Sequence, residues 1–194
     1  LIEEYLEGES LYALVKRLGS LSMKTAAEIG IQVCRLIQFM NTADNPILYL
    51  DLQPKNLLVC NGAVRLIDFD HAQYAEDVTA FGERYGTIGF AAPEQYRGEP
   101  LDCRTDVYAI GALLYYMCRG EPPGNGFCLG DRSGTWELDR IIRGCMAAEK
   151  DGRYQNAGKV EQALCELKTV LSEKHAIESL TIVFAGARPG IGTT

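Results

Sequence analysis

Apolar residues recur along the chain with two different periods. Leu1 to Leu6 is a short extended apolar run interrupted by Gly8, and Leu11 to Leu18 reads as a short helix. Ile29, Val33, Leu36, Ile37 and Met40 return at three- and four-residue spacing. That spacing predicts a long amphipathic helix, with Ser22 as its N-cap and Asn45-Pro46 at its exit. Asp102 to Arg119 holds Val107, Ile110, Leu113, Leu114 and Met117 and is apolar nearly all round, so its helix is expected to be buried. Trp136 to Met146 carries Leu138, Ile141, Ile142 and Cys145 on one face, with Trp136 expected at the core or its boundary. Val160, Ala163, Leu164, Leu167, Val170 and Leu171 define a last amphipathic helix.

Between these helices the pattern shortens. Leu57-Leu58-Val59 and Val64 to Ile67 are strand-like, and Asn61-Gly62 between them is a hairpin signal because both residues tolerate positive φ. The polar segment Asp51 to Asn56 leads directly into this hairpin, and the hairpin leads directly into Asp68-Phe69-Asp70. Ala72 to Gly89 and Glu121 to Thr135 read as loops. The expected fold is α+β and mainly helical, with one small β-hairpin.

Composition narrows the function. Nineteen Lys and Arg against 26 Asp and Glu give a net charge of −7, which argues against nucleic acid as a main partner. The longest apolar run, Ala109 to Cys118, is about half of the ~20 residues that a membrane span needs. Seven scattered cysteines and two histidines show no zinc spacing, so reduced thiols in a cytoplasmic protein are expected. The chain starts at Leu1 and not at Met, which leaves targeting open.

A hairpin brings the chain back near its start, so Asp51, Asn56 and Asp68 are expected to converge at one edge of a small sheet. Two carboxylates and an amide oxygen suit Mg²⁺, a hard cation that takes oxygen ligands and phosphate partners. A carboxylate beside them could orient a hydroxyl nucleophile.

These residues resemble the eukaryotic-type protein kinase family, and specifically its hinge and C-terminal lobe. The catalytic loop His-Arg-Asp-Leu-x-x-x-Asn appears as Tyr49-Leu50-Asp51-Leu52-Gln53-Pro54-Lys55-Asn56, and Asp-Phe-Gly as Asp68-Phe69-Asp70. Ala92-Pro93-Glu94 is unaltered and follows Gly86-Thr87, and Asp106 to Gly111 looks like the start of the lobe's buried central helix. The stretch Gly89 to Gln95 resembles bacterial members. The resemblance covers Leu1 to about Lys174.

It implies a serine/threonine protein kinase that uses ATP and Mg²⁺ on a protein substrate. Asp51 would orient the substrate hydroxyl, and Asn56 and Asp68 would hold Mg²⁺. Glu4 and Leu6 would offer hinge backbone groups to adenine, over an apolar floor formed by Leu58. Thr87 would shape the phosphoacceptor site, Thr79 is a candidate activation-segment phosphosite, and Glu94 and Arg153 would form a buried ion pair.

Departures from the pattern carry their own expectations. Leu50 replaces the Arg that binds a phosphorylated loop, so that switch is expected to be absent, with Glu83 near the phosphate position. Gln53 replaces the catalytic-loop Lys and removes a cation from the transition state. Asp70 stands where a Gly would adopt its backbone angles freely, and Glu3 where the hinge is usually apolar. The Gly-rich loop and nucleotide-binding Lys of the N-terminal lobe would precede Leu1, so the chain alone is expected to be inactive. Two other classes remain in view: a nucleotide-binding regulatory pseudokinase, and a small-molecule phosphotransferase sharing the Asp…Asn…Asp core.

Residues 175–194 change character. Leu180 to Phe184 reads as a strand running into Ala187-Arg188-Pro189-Gly190-Ile191-Gly192-Thr193-Thr194. This resembles the start of a deviant Walker P-loop ATPase, with Ala187 and Thr193 in place of the Gly and the Lys. It implies a linker and the truncated start of a C-terminal ATPase-like domain; an ordinary strand and turn is the alternative reading.

Overall fold

The computed structural model describes residues 7–78, 86–124 and 136–186, with residues 174–186 as backbone only. Glu3, Glu4, Leu6, Thr79, Glu83, residues 125–135 and the Gly-rich tail 187–194 lie outside the described residues. The fold is α+β with helices in the majority: β1 (Glu9–Ser10), α1 (Leu11–Leu18), α2 (Met23–Asn41), β2 (Ile47–Leu48), β3 (Leu57–Cys60), β4 (Ala63–Leu66), β5 (Gln73–Tyr74), α3 (Pro93–Arg97), α4 (Cys103–Arg119), α5 (Trp136–Cys145) and α6 (Ala157–Gly186).

Helix starts follow the capping chemistry. The Ser22 hydroxyl accepts from the Thr25 N–H at 3.1 Å and opens α2. Asp102 accepts from the Arg104 N–H at 2.9 Å and opens α4. Gly120, left-handed at φ 79°, closes α4 by donating to the Tyr116 carbonyl. The core lies between α2, α4, α5 and α6, where Ile37, Ile110, Leu113, Leu114, Met117, Leu138, Ile141 and Leu164 are buried. Gly111 permits the close approach of α4 and α5, since a Cβ there would sit 2.5 Å from Cys145 Cβ.

The hairpin forms where the sequence places it. Asn61 and Gly62 have φ 51° and 82°, and Leu57 pairs with Leu66. The sheet has a third strand, because β1 pairs antiparallel with β3 through Ser10 and Leu58. Gln32 of α2 fixes the turn by donating to the Gly62 carbonyl and accepting from the Val64 N–H, both at 3.0 Å.

Two expectations need correction. Trp136 is 65% exposed, because it is the first residue of α5 and lies off the face carrying Leu138, Ile141, Ile142 and Cys145. Residues 180–184 are helical and not a strand: α6 continues from Ala157 to Gly186. No Pro, and no Gly between Gly158 and Gly186, interrupts that stretch, so nothing in it stops the helix. Among the described residues, no helix is long and apolar enough to cross a membrane.

Candidate active site

The site is built around the peptide of Leu50 and Asp51. Asp106, wholly buried at the start of α4, accepts the Tyr49 N–H at 3.0 Å and the Leu50 N–H at 2.9 Å. Asn41 at the end of α2 also donates to it, at 3.2 Å. Burial pushes the Asp106 carboxyl above its ordinary value, against the pull of these three donors. Leu50 takes φ 64°, and the Asp51 N–H donates to the Tyr49 carbonyl at 2.9 Å. This is a γ-turn of the rarer, strained form.

Three donors converge on the Asp51 carboxylate. Asn56 Nδ2 donates to Oδ2 at 2.9 Å, and Gln53 Nε2 to the same oxygen at 2.8 Å. The Thr87 hydroxyl donates to Oδ1 at 2.7 Å. Asn56 Nδ2 also reaches the Asp51 carbonyl at 3.0 Å. Asp51 is 9% exposed, so this network is buried and not on a free surface.

Asp68 follows the sheet. The Ile67 N–H donates to the Asn56 carbonyl at 3.0 Å, and Asp68 lies two residues beyond the end of β4. Asp68 is exposed, with φ 63°, and its Oδ1 accepts from the Asp70 N–H at 3.3 Å. The left-handed residue of this triplet is therefore Asp68, and Asp70 needs no glycine-like angles. Phe69 meets Tyr49 edge-on at 5.5 Å, and the Tyr49 hydroxyl donates to the Ile67 carbonyl. Burial, and then Asp51, Asp68 and Asp106, push the Tyr49 phenol well above its ordinary value.

The donor set fits Mg²⁺. The Asn56 amide oxygen and the Asp68 carboxylate are hard oxygen ligands, and Mg²⁺ needs only one or two carboxylates when phosphates supply the rest. Among the described residues, no cluster of three or more His, Cys, Asp or Glu side chains could hold a metal. Leu58 lies half-buried in the middle of β3.

Behind the site, Glu94 and Arg153 form a buried bidentate pair at 2.6 and 2.8 Å. Burial pushes the Glu94 carboxyl up, and the Arg153 guanidinium more than offsets this, holding it below its ordinary value. Two residues that the sequence reading did not assign also belong to this region. Asp106 holds the Tyr49 and Leu50 amides; the sequence marks it as the first residue of the Asp106–Gly111 stretch but gives no sign of its role toward the Leu50 backbone. Gln95 follows Glu94 and closes the Gly89–Gln95 stretch, and its buried amide donates to the Leu50 carbonyl, a contact that no local pattern signals.

A mainly helical α+β domain with this aspartate-centred network defines a class that comparison with known proteins identifies. The chain belongs to the protein kinase domain family, whose model matches residues 1–181. It is similar to serine/threonine-protein kinase PknB of Mycolicibacterium smegmatis, with 30% identity over 190 residues, covering 84% of this chain and 29% of that protein. PknB of Mycobacterium tuberculosis is 28% identical over 186 residues, with the same coverage. A probable serine/threonine-protein kinase of Corynebacterium efficiens is 36% identical over 186 residues, covering 82% of this chain and 28% of that protein. The chain thus spans under a third of the length of these curated relatives.

Proposed function

We propose that the protein is a serine/threonine protein kinase that transfers the γ-phosphate of ATP to protein hydroxyl groups. The observation that carries this reading is the convergence of Asn56, Gln53 and Thr87 on the Asp51 carboxylate. Thr87 and Asn56 come from different segments, and together they fix the direction of both carboxylate oxygens. A serine or threonine hydroxyl displacing the Thr87 contact would find Oδ1 aimed at its proton.

Asn56 and Asp68 would hold Mg²⁺, which when bound with ATP supplies charge neutralisation on the phosphates. Leu58 would lie under the adenine, with the backbone of Glu4 and Leu6 at the hinge. In this reading the described residues belong to the C-terminal lobe, and an N-terminal lobe completes the nucleotide site. Six described cysteines are free thiols, which supports a reducing, cytoplasmic setting.

One observation favours a second reading, a nucleotide-binding regulatory module. Gln53 is neutral and its amide is spent on Asp51, so no cation from this position reaches a transferring phosphate. The small-molecule phosphotransferase is disfavoured by the buried Glu94–Arg153 platform. Incubating the full-length protein and its Asp51→Asn variant with labelled ATP, Mg²⁺ and a generic protein substrate separates the readings. Label on Ser and Thr that vanishes in Asp51→Asn supports the kinase. Nucleotide binding without label in either protein overturns it in favour of the regulatory module.

A further inference from the structure

Gln95 is 4% exposed, and both ends of its amide are engaged with backbone from different parts of the chain. Its Oε1 accepts from the Ala92 N–H at 2.8 Å, and its Nε2 donates to the Leu50 carbonyl at 2.9 Å. The partners fix the orientation of the amide, since Ala92 N can only donate and Leu50 O can only accept. Gly86 makes room for it: with φ 120°, a Cβ there would stand 2.4 Å from Ala91 Cβ and 3.2 Å from Gln95 Nε2.

The Leu50 carbonyl belongs to the peptide that carries the Asp51 N–H. Leu50 is left-handed and 3% exposed, a conformation that leucine holds only when its surroundings over-determine it. Asp106 holds the amide before it, and Gln95 holds the carbonyl after it. Without Gln95 that carbonyl is buried and unpaired, and the peptide gains by rotating toward an unstrained γ- or β-conformation. Rotation turns Asp51 away from Asn56 and Thr87.

We infer that Gln95 is a positioning residue for Asp51. Its amide ties residues 86–94 to the backbone of the aspartate, so that Thr87 and Asp51 are set by one unit. Docking of the 86–94 segment and alignment of the Asp51 carboxylate are then a single event, through a neutral link.

The inference rests on the kinase reading, so its test carries a readout that does not need activity. Wild-type full-length protein is compared with Gln95→Met, which removes both bonds, and Gln95→Glu, which keeps an acceptor for Ala92 and removes the donor to Leu50. Asp51→Asn is the inactive control. Hydrogen exchange of the Asp51 amide is expected to quicken at least tenfold in both Gln95 variants, with exchange in α4 unchanged. In the transfer assay kcat is expected to fall at least tenfold at unchanged KM for ATP. Wild-type exchange at Asp51, or a loss of kcat that only follows global unfolding, overturns the inference. Should Gln95→Met fail to fold, Gln95→Glu decides by the same readings. An inactive wild type with quickened Asp51 exchange in the variants overturns the kinase reading and leaves the positioning role standing.

Discussion

Replacing Glu94 by Leu leaves a guanidinium buried without its counter-charge. Arg153 uses all five donors: two on Glu94, and the others on the carbonyls of Ala147, Arg104 and Ala148 at 2.8, 3.0 and 3.2 Å. Breaking a buried pair by removing one partner costs about 3–5 kcal/mol. Glu94→Leu keeps the three carbonyl bonds, which places it near about 3 kcal/mol. Arg153→Met strips those carbonyls as well and leaves Glu94 with the Thr105 hydroxyl at 3.0 Å and its own backbone N–H but no counter-charge, which places it near or above about 5 kcal/mol. For a chain of this size about 2–4 °C of Tm accompanies each kcal/mol, so losses of roughly 6 °C to 20 °C are expected. The double variant removes both charges and should lose at least about 2 kcal/mol less than the sum of the singles. Thermal and urea unfolding of the four proteins measures this. Single losses below about 1 kcal/mol, or a double variant additive within about 0.5 kcal/mol, would refute the claim that the pair is a coupled buried element.

Thr87→Val removes a donor to Asp51 Oδ1 and should lower kcat about tenfold, a factor worth about 1.4 kcal/mol, with little change in Tm; steady-state kinetics beside melting checks it. Gln53→Lys restores a cation next to Asp51 and should raise kcat by about tenfold or more, read in the same assay. Glu94 and Asp102 are both held below their ordinary values in the folded protein, the paired Arg153, and Arg104 with Lys150, outweighing burial. The folded state therefore binds fewer protons than the unfolded one. Their stabilisation is full above about pH 4.5 and is lost as pH falls through the folded values. Asp106, raised by burial, contributes with the opposite sign. Melting across pH 2.5–7 should show Tm falling toward acid, with a shallower slope in Glu94→Gln.

Much of this fold was legible from local chemistry. Leu11–Leu18 forms the helix its pattern predicts, Ser22 caps α2, and Asn61-Gly62 makes the hairpin turn, because each signal is carried by neighbours in sequence. Asp51 and Asn56 meet for the same reason, since they lie five residues apart, and the hairpin that follows returns the chain so that the Ile67 N–H bonds the Asn56 carbonyl. What escaped depends on distant partners. The strand Glu9–Ser10 has two residues and is defined by Leu58 and Val59 across the sheet. Asp106 and Gln95 matter through the backbone of Leu50, some 56 and 45 positions away. Trp136 was misplaced because hydrophobicity alone does not decide burial at the first turn of a helix, where the direction of the side chain does.

We propose a division of labour, with Asp51 acting on the substrate hydroxyl and Asp68 with Asn56 on Mg²⁺. Calorimetric titration of ATP into full-length wild type, Asp51→Asn and Asp68→Asn, with and without Mg²⁺, tests it most directly. Wild type and Asp51→Asn are expected to bind ATP more tightly with Mg²⁺, and Asp68→Asn is expected to lose this gain. Equal Mg²⁺ dependence in all three proteins would contradict it.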